Sequence, residues 1–173
     1  MNKRFATAIL LASATTLAAC ARQAPEELPP PPPTDTATPT PTPTQTTPTG
    51  PQVGSQAHFE DAVNGQNVIY FDTDRFNIDS ADAAALQTQA QYLARYPQIR
   101  VTVEGHADER GTREYNLALG ERRANAAKNY LVGLGVDASR VATVSYGKER
   151  PVALGSNEQA WAQNRRAVSV VIN

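Results

Sequence analysis

Ile99-Arg100-Val101-Thr102-Val103-Glu104-Gly105-His106-Ala107-Asp108-Glu109-Arg110-Gly111-Thr112 reads in two halves. In the first, Ile99, Val101 and Val103 alternate with Arg100, Thr102 and Glu104, the period of a strand with one face against a core. The second half, from Gly105 to Thr112, is polar and turns. Beyond it, Glu114 to Leu134 carries Leu117, Ala124, Ala127, Leu131 and Leu134 at helical spacing, and Gly135 closes the run. Upstream, Val68 to Phe71 reads as a buried strand after Asn64-Gly65. A helix follows, capped at Asp79-Ser80, with Ala83, Leu86, Ala90 and Leu93 on one face and Pro97 as its stop. Downstream, Val141 to Tyr146 predicts a third strand, Glu158 to Asn164 a short helix and Ala167 to Ile172 a last strand. The order β-α-β-α-β-(α)-β makes an α/β (α+β) domain of two layers, with helices packed on one mixed sheet. The direction of the last strand is left open by the pattern.

The rest of the 173 residues divides in two. Met1 to Ala19 has a positive start, Lys3 and Arg4, and then an uncharged run rich in Ala and Leu, which predicts an export signal over 1–19. Leu17-Ala18-Ala19-Cys20 resembles the lipobox of bacterial lipoproteins, in which the cysteine becomes the lipidated first residue. Ala21, where an Asp would be associated with inner-membrane retention, implies sorting to the outer membrane with the chain facing the periplasm. Residues 20–57 then form a lipidated start and a disordered tether: eleven of the 13 prolines lie between Pro25 and Pro51. Fully extended, the tether reaches roughly 110 Å, and as a flexible coil about 30 Å. Residues 58–173 remain for one core.

Composition excludes several function classes. Sixteen Lys and Arg against 17 Asp and Glu leave a net charge of −1, which offers no pull on nucleic acid. A single Cys rules out an internal disulfide and a multi-cysteine zinc site. Neither Gly-x-Ser-x-Gly nor His-Glu-x-x-His occurs, and His106 and His58 stand far apart, so no enzyme and no metal site is expected. Trp161 reads as a core or lid residue, and Arg122-Arg123 and Arg165-Arg166 as solvated or acid-paired surface.

The chemistry concentrates at Glu104 to Thr112. Ligands of α/β folds favour this end of a sheet. Asn116 and Arg123, seven apart on the following helix, share a face that begins near the loop of Asp108. A carboxylate and a guanidinium over one small volume suit a zwitterion, whose ammonium meets the one and whose carboxylate meets the other. The same spacing also suits Asp108 and Arg123 pairing with each other, or capping the helix.

Val103 to Thr112, then Glu114-Tyr115-Asn116, then Leu119-Gly120-Glu121-Arg122-Arg123-Ala124 resemble the OmpA-like peptidoglycan-binding domains, more narrowly those of the lipoproteins of the Tol-Pal system. Tyr70-Phe71-Asp72, Val144 to Glu149 and Asn164 to Val168 extend the resemblance over about 66–172. It implies noncovalent binding of peptidoglycan through diaminopimelate of the stem peptide. Asp108 would hold the ammonium, Arg123 the carboxylate, and Asn116 would add a hydrogen bond. Arg110, Thr112 and Leu119 would line the pocket, and the acidic position after the first strand would be Asp72 or Asp74. Arg113 departs from a proline common among relatives. The resemblance also implies TolB as a partner, with TolA a further candidate, and a role in envelope integrity and cell division. It implies no cofactor apart from the covalent lipid on Cys20. The rival reading is a wall-binding outer-membrane lipoprotein with no Tol partner.

Overall fold

The computed structural model describes residues 50–172, so the signal, Cys20 and most of the expected tether lie outside the described residues. Nine elements follow in order: α1 (Gln56–Ala62), β1 (Val68–Tyr70), α2 (Ser80–Arg95), β2 (Arg100–His106), α3 (Arg113–Gly133), a 3-10 turn (Ala138–Arg140), β3 (Val141–Gly147), α4 (Glu158–Asn164) and β4 (Arg166–Ile172). The sheet order is β1-β4-β2-β3. β2 and β3 are parallel, joined through α3, whereas β4 inserts antiparallel between β1 and β2. The mixed two-layer architecture is the expected one, and the direction of the last strand is now defined.

The alternation of β2 places Val101 and Val103 in the core, with Ile69, Val141, Ala167 and Val171 from its neighbours. Leu86 and Leu93 of α2 and Ala124, Ala127 and Leu131 of α3 cover that face. Each large apolar side chain so buried contributes about 1.5–3 kcal/mol. The core stripe of α3 differs from the expected one: Leu119 is buried and Leu134 is 42% exposed. α3 ends at Gly133, which leaves Leu134 in its cap, outside the regular turn.

No element was expected at residues 56–62. There Ser55 accepts the amide of His58, and α1 drops Phe59, with Val63 just beyond it, into the core. Gln56 Oε1 accepts the amide of Val171, tying α1 to β4.

Two glycines set the depth at which α3 lies. A Cβ on Gly105 would strike the carbonyl of Gly120, so the backbones of β2 and α3 touch there. Gly147, at φ +50, also brings β3 close to the backbone of Asn116 and Leu117, where a Cβ would lie 2.9 Å from the Leu117 nitrogen. The N-terminal half of α3 is thereby drawn over the C-terminal ends of both parallel strands.

Candidate functional site

That end of the sheet holds a cleft of about 240 Å³, lined by Thr73, Asp74, Asp108, Arg110, Gly111, Tyr115, Asn116 and Leu119. The loop from Ala107 to Thr112 is shaped by its own side chains. Asp108 Oδ1 accepts the backbone amide of Arg110 at 3.1 Å, an Asx turn. Gly111 takes φ +83. Thr112 then caps α3 by accepting the amide of Tyr115. Asn116 Nδ2 donates to the carbonyl of Arg110 at 2.7 Å, and Lys148 Nζ donates to the carbonyls of Glu109 and Gly111.

Asp108 lies at the floor of the cleft, 7% exposed. Arg110 grips it with both ends of its fork, Nε to Oδ1 at 3.0 Å and Nη2 to Oδ2 at 2.7 Å. Burial pushes this carboxyl up, but the hydrogen bonds and charge of Arg110 and the charge of Arg165 outweigh burial and hold it below the usual carboxylate range. Asp108 is therefore an anion at neutral pH. Arg110 sits at the rim, stacked on Trp161 at 4.2 Å, with Nη2 donating to Thr73 Oγ1 at 3.3 Å.

The expected residues fall into distinct places. Asp108, Arg110, Asn116, Leu119 and Asp74 share the cleft. Asp74, at φ +54, accepts the hydroxyl of Tyr115 at 3.3 Å. Asp72 instead lines a neighbouring cavity of about 330 Å³ with Tyr70, Asn77, Asp79, Asp82 and Arg165. Thr112 spends its hydroxyl on the helix cap and does not line the cleft. Arg123 is wholly buried beneath it. Its Nε donates to the carbonyl of Arg75, Nη1 to that of His106 and Nη2 to that of Asp72, at 2.8–3.0 Å. Burial draws its pKa down to about 10, so it stays charged at neutral pH. It makes no ion pair with Asp108; its guanidinium stitches the loop after β1 to the end of β2. Arg113 points outward and pairs with Glu149 at 3.5 Å.

Two readings need correction. Arg123, Arg165 and Arg166 are at most 6% exposed, and are not surface groups. Arg165 closes the cleft from behind, with Nη1 at 3.6 Å from Asp108 Oδ2. Trp161 is neither core nor lid over a sheet edge: it is half-buried, donates Nε1–H to Glu109 and carries Arg110 on its ring. Thr73, Gly111 and Tyr115 complete the lining and were not foreseen. A residue facing the cleft from the irregular loop after β1 leaves no periodic signal.

His106 ends β2 under the site, 2% exposed, and neither ring nitrogen has a hydrogen-bond partner among the described residues. Burial, then the charges of Arg166 and Arg150, lower its pKa to about 4. The unfolded chain, with an ordinary histidine near 6.5, thus takes up a proton that the folded protein refuses. Stability from this residue is intact above pH 6.5 and declines as pH falls towards 4, by about 3 kcal/mol. Urea unfolding at a series of pH values should show His106→Phe with that much less loss over this interval. An unchanged slope would mean that the ring takes up its proton in the folded state.

Among the described residues no group of His, Cys, Asp and Glu could hold a metal ion, and no helix is long and apolar enough to cross a membrane.

The profile of the OmpA family matches residues 70–165. A protein of Agrobacterium fabrum named peptidoglycan-associated lipoprotein is 57% identical over 118 residues, covering 68% of this chain and 66% of its own length, just under two thirds. One of the same name from Haemophilus influenzae is 52% identical over 102 residues, covering 59% and 67%. The crystal structure of the peptidoglycan-associated lipoprotein of Burkholderia pseudomallei matches with a TM-score of 0.63 at 46% identity, over 65% of this chain and 96% of that one. The C-terminal domain of Helicobacter pylori MotB, 18% identical, matches with a TM-score of 0.57 over 61% of this chain and 84% of that one, and shares the fold.

Proposed function

Since this chain belongs to the OmpA family, we propose that its domain binds peptidoglycan noncovalently, taking the diaminopimelate of a stem peptide into the cleft floored by Asp108. The observation that carries the reading is the Asp108–Arg110 pair. A buried, ionised carboxylate and a rim guanidinium lie side by side in a pocket. A zwitterionic amino-acid head is the complement of that pair: its ammonium replaces Arg110 on Asp108, and its carboxylate takes the fork that Arg110 has freed. Asn116 fixes the Arg110 backbone, and Leu119 and Tyr115 supply the apolar wall for the methylene chain. Arg123, from beneath, keeps the loop after β1 and the end of β2 at their spacing. The steps are binding steps, and no bond is made or broken.

The remaining parts make this a tether. A lipid on Cys20 would hold the chain to the outer membrane, the Pro/Thr-rich segment would give reach, and the domain would grip the wall. Many weak grips on one surface then suffice, because tethering raises local concentration. Within this reading TolB is the expected partner and competes with the wall, in a system serving envelope integrity and cell division. Co-sedimentation of the purified chain with isolated peptidoglycan tests the binding. Displacement by a diaminopimelate-containing stem peptide supports it, and a folded chain that stays in the supernatant sinks it. Added TolB should release the bound chain; if it does not, the Tol assignment goes and wall binding stands alone. For the anchor, Cys20→Ser should move the protein from the membrane fraction to the soluble one, and a signal-cleaved variant that still pellets with membranes would refute lipidation at this residue.

A further inference from the structure

Arg165 has the least obvious environment of any charged group near the cleft. Its Nε donates to the carbonyl of Phe71 at 2.9 Å and its Nη2 to Glu158 Oε1 at 2.7 Å. Nη1 is buried and has no hydrogen-bond acceptor among the described residues. It stands 3.6 Å from Asp108 Oδ2, beyond hydrogen-bond reach, and that oxygen is already taken by Arg110 Nη2 at 2.7 Å. A buried cationic donor left without an acceptor is costly. The arrangement makes sense if the acceptor becomes available in another state. Asp108 carries two guanidiniums of unequal grip: Arg110, partly exposed at the rim, and Arg165, buried behind.

We propose that Arg165 is a positioning residue for wall binding, a reserve partner that closes on Asp108 Oδ2 when the ligand draws Arg110 away. The inference rests on the cleft's being the wall-binding site. Among the described residues the Arg110 side chain has two anchors besides Asp108, the Thr73 hydroxyl and the Trp161 ring, and it is 39% exposed. It can turn to a ligand carboxylate without unpacking the core. Asp108 would then face a ligand ammonium on one side and lose its bidentate partner on the other. A shift of well under an ångström brings Arg165 Nη1 to hydrogen-bond distance. The Phe71 carbonyl holds Nε of that guanidinium in place, while Glu158 competes with Asp108 for its charge.

The charged groups around Asp108 are Arg110 and Glu109 from its own loop, Asp74 in the same cleft from the loop after β1, Arg123 from α3 and Arg165 after α4. Arg165 therefore governs how readily Asp108 protonates once Arg110 has left, and this sets the acid limit of wall binding. The test is co-sedimentation of the full chain with isolated peptidoglycan across pH 3–8. In Arg165→Gln the pH at which binding is half lost should rise by about one pH unit, and affinity at pH 7 should fall about tenfold. Arg165→Lys, which keeps the charge but not the fork, should restore part of the acid limit. Glu158→Ala offers a second variant, since the Glu158 side chain is 63% exposed and its removal spares the core. It releases Nη2 and should extend binding to lower pH. An acid limit unmoved in a natively folded Arg165→Gln overturns the proposal. If that variant does not fold, an acid limit unmoved in Glu158→Ala overturns it equally. Failure of the wild-type chain to sediment is a different result and would strike the wall-binding reading itself.

Discussion

Asp108→Ala is expected to weaken peptidoglycan binding by between about 30-fold and several thousand-fold at pH 7. Truncating one member of a desolvated, hydrogen-bonded charge pair costs about 2–5 kcal/mol, which converts to that range. The effect is large because the loss is double. The ligand's ammonium would enter a cleft with no buried counter-charge, and Arg110 and Arg165 would be left as two guanidiniums facing each other across the gap. Asp108→Asn separates these contributions in part: it keeps the shape and one acceptor oxygen, removes the charge, and sets an NH2 donor where the other oxygen met a guanidinium. Binding of both variants, read by sedimentation with far-ultraviolet circular dichroism to confirm the fold, decides the assignment. Near-wild-type affinity in folded Asp108→Ala would move the site elsewhere, and the cavity lined by Asp72, Asp79 and Asp82 would be the next place to look.

Gly120→Ala is expected to damage the fold severely with a single added carbon. The new Cβ would stand 2.8 Å from the Gly105 carbonyl oxygen and press on the Ser145 hydroxyl. Neither neighbour can easily yield. The first belongs to the backbone of β2, a strand paired on both sides, and the second donates to the carbonyl of Leu117 and accepts the amide of Gly147. Helix and sheet must part, at a cost of about 3 kcal/mol, the upper end for overpacking. The melting temperature should drop by roughly 10 °C. Because Asn116 and Leu119 ride on the same turns of α3, wall binding should suffer even at temperatures where the variant is folded. Gly133→Ala is the control: no atom lies within 4 Å of its added Cβ, and the change should be neutral or stabilising by up to about 1 kcal/mol. Equal melting temperatures for the two variants would show that the helix–strand contact has slack.

How much of this could be read from residues alone depended on whether the information was local. β2 and α3 were legible because each repeats its own period, and Asp108 and Asn116 were legible because they sit where strand, turn and helix adjoin, whereas Arg110 and Leu119 were named only through the family resemblance. The sheet order was not. The pairing of Val68 with Val168 leaves no mark near either residue, so β4 between β1 and β2 had to be seen. α1 escaped notice because it is short, buries one aromatic ring and adjoins a proline-rich stretch. Arg123 was rightly placed at this end of α3, but its partners are the carbonyls of Arg75, His106 and Asp72, and a carbonyl belongs to every residue type. Arg165 was read as solvated or acid-paired surface: it does pair with acids, Glu158 and Asp108, but it is buried, and its Nε meets the carbonyl of Phe71, 94 residues earlier, which leaves no local mark.

The position of β4 has a consequence for when this domain can form. Among the described residues the last strand is a central one, and β1 pairs with it alone. A growing or threading chain that has delivered everything up to Asn164 can assemble β2, α3 and β3, whose contacts are comparatively near in sequence, but it leaves β1 unpaired and one edge of β2 bare. Completion waits for the final strand to slot between them, and such distant pairings are slow. The sheet of the described residues therefore closes around its middle last, however early β2, α3 and β3 have formed.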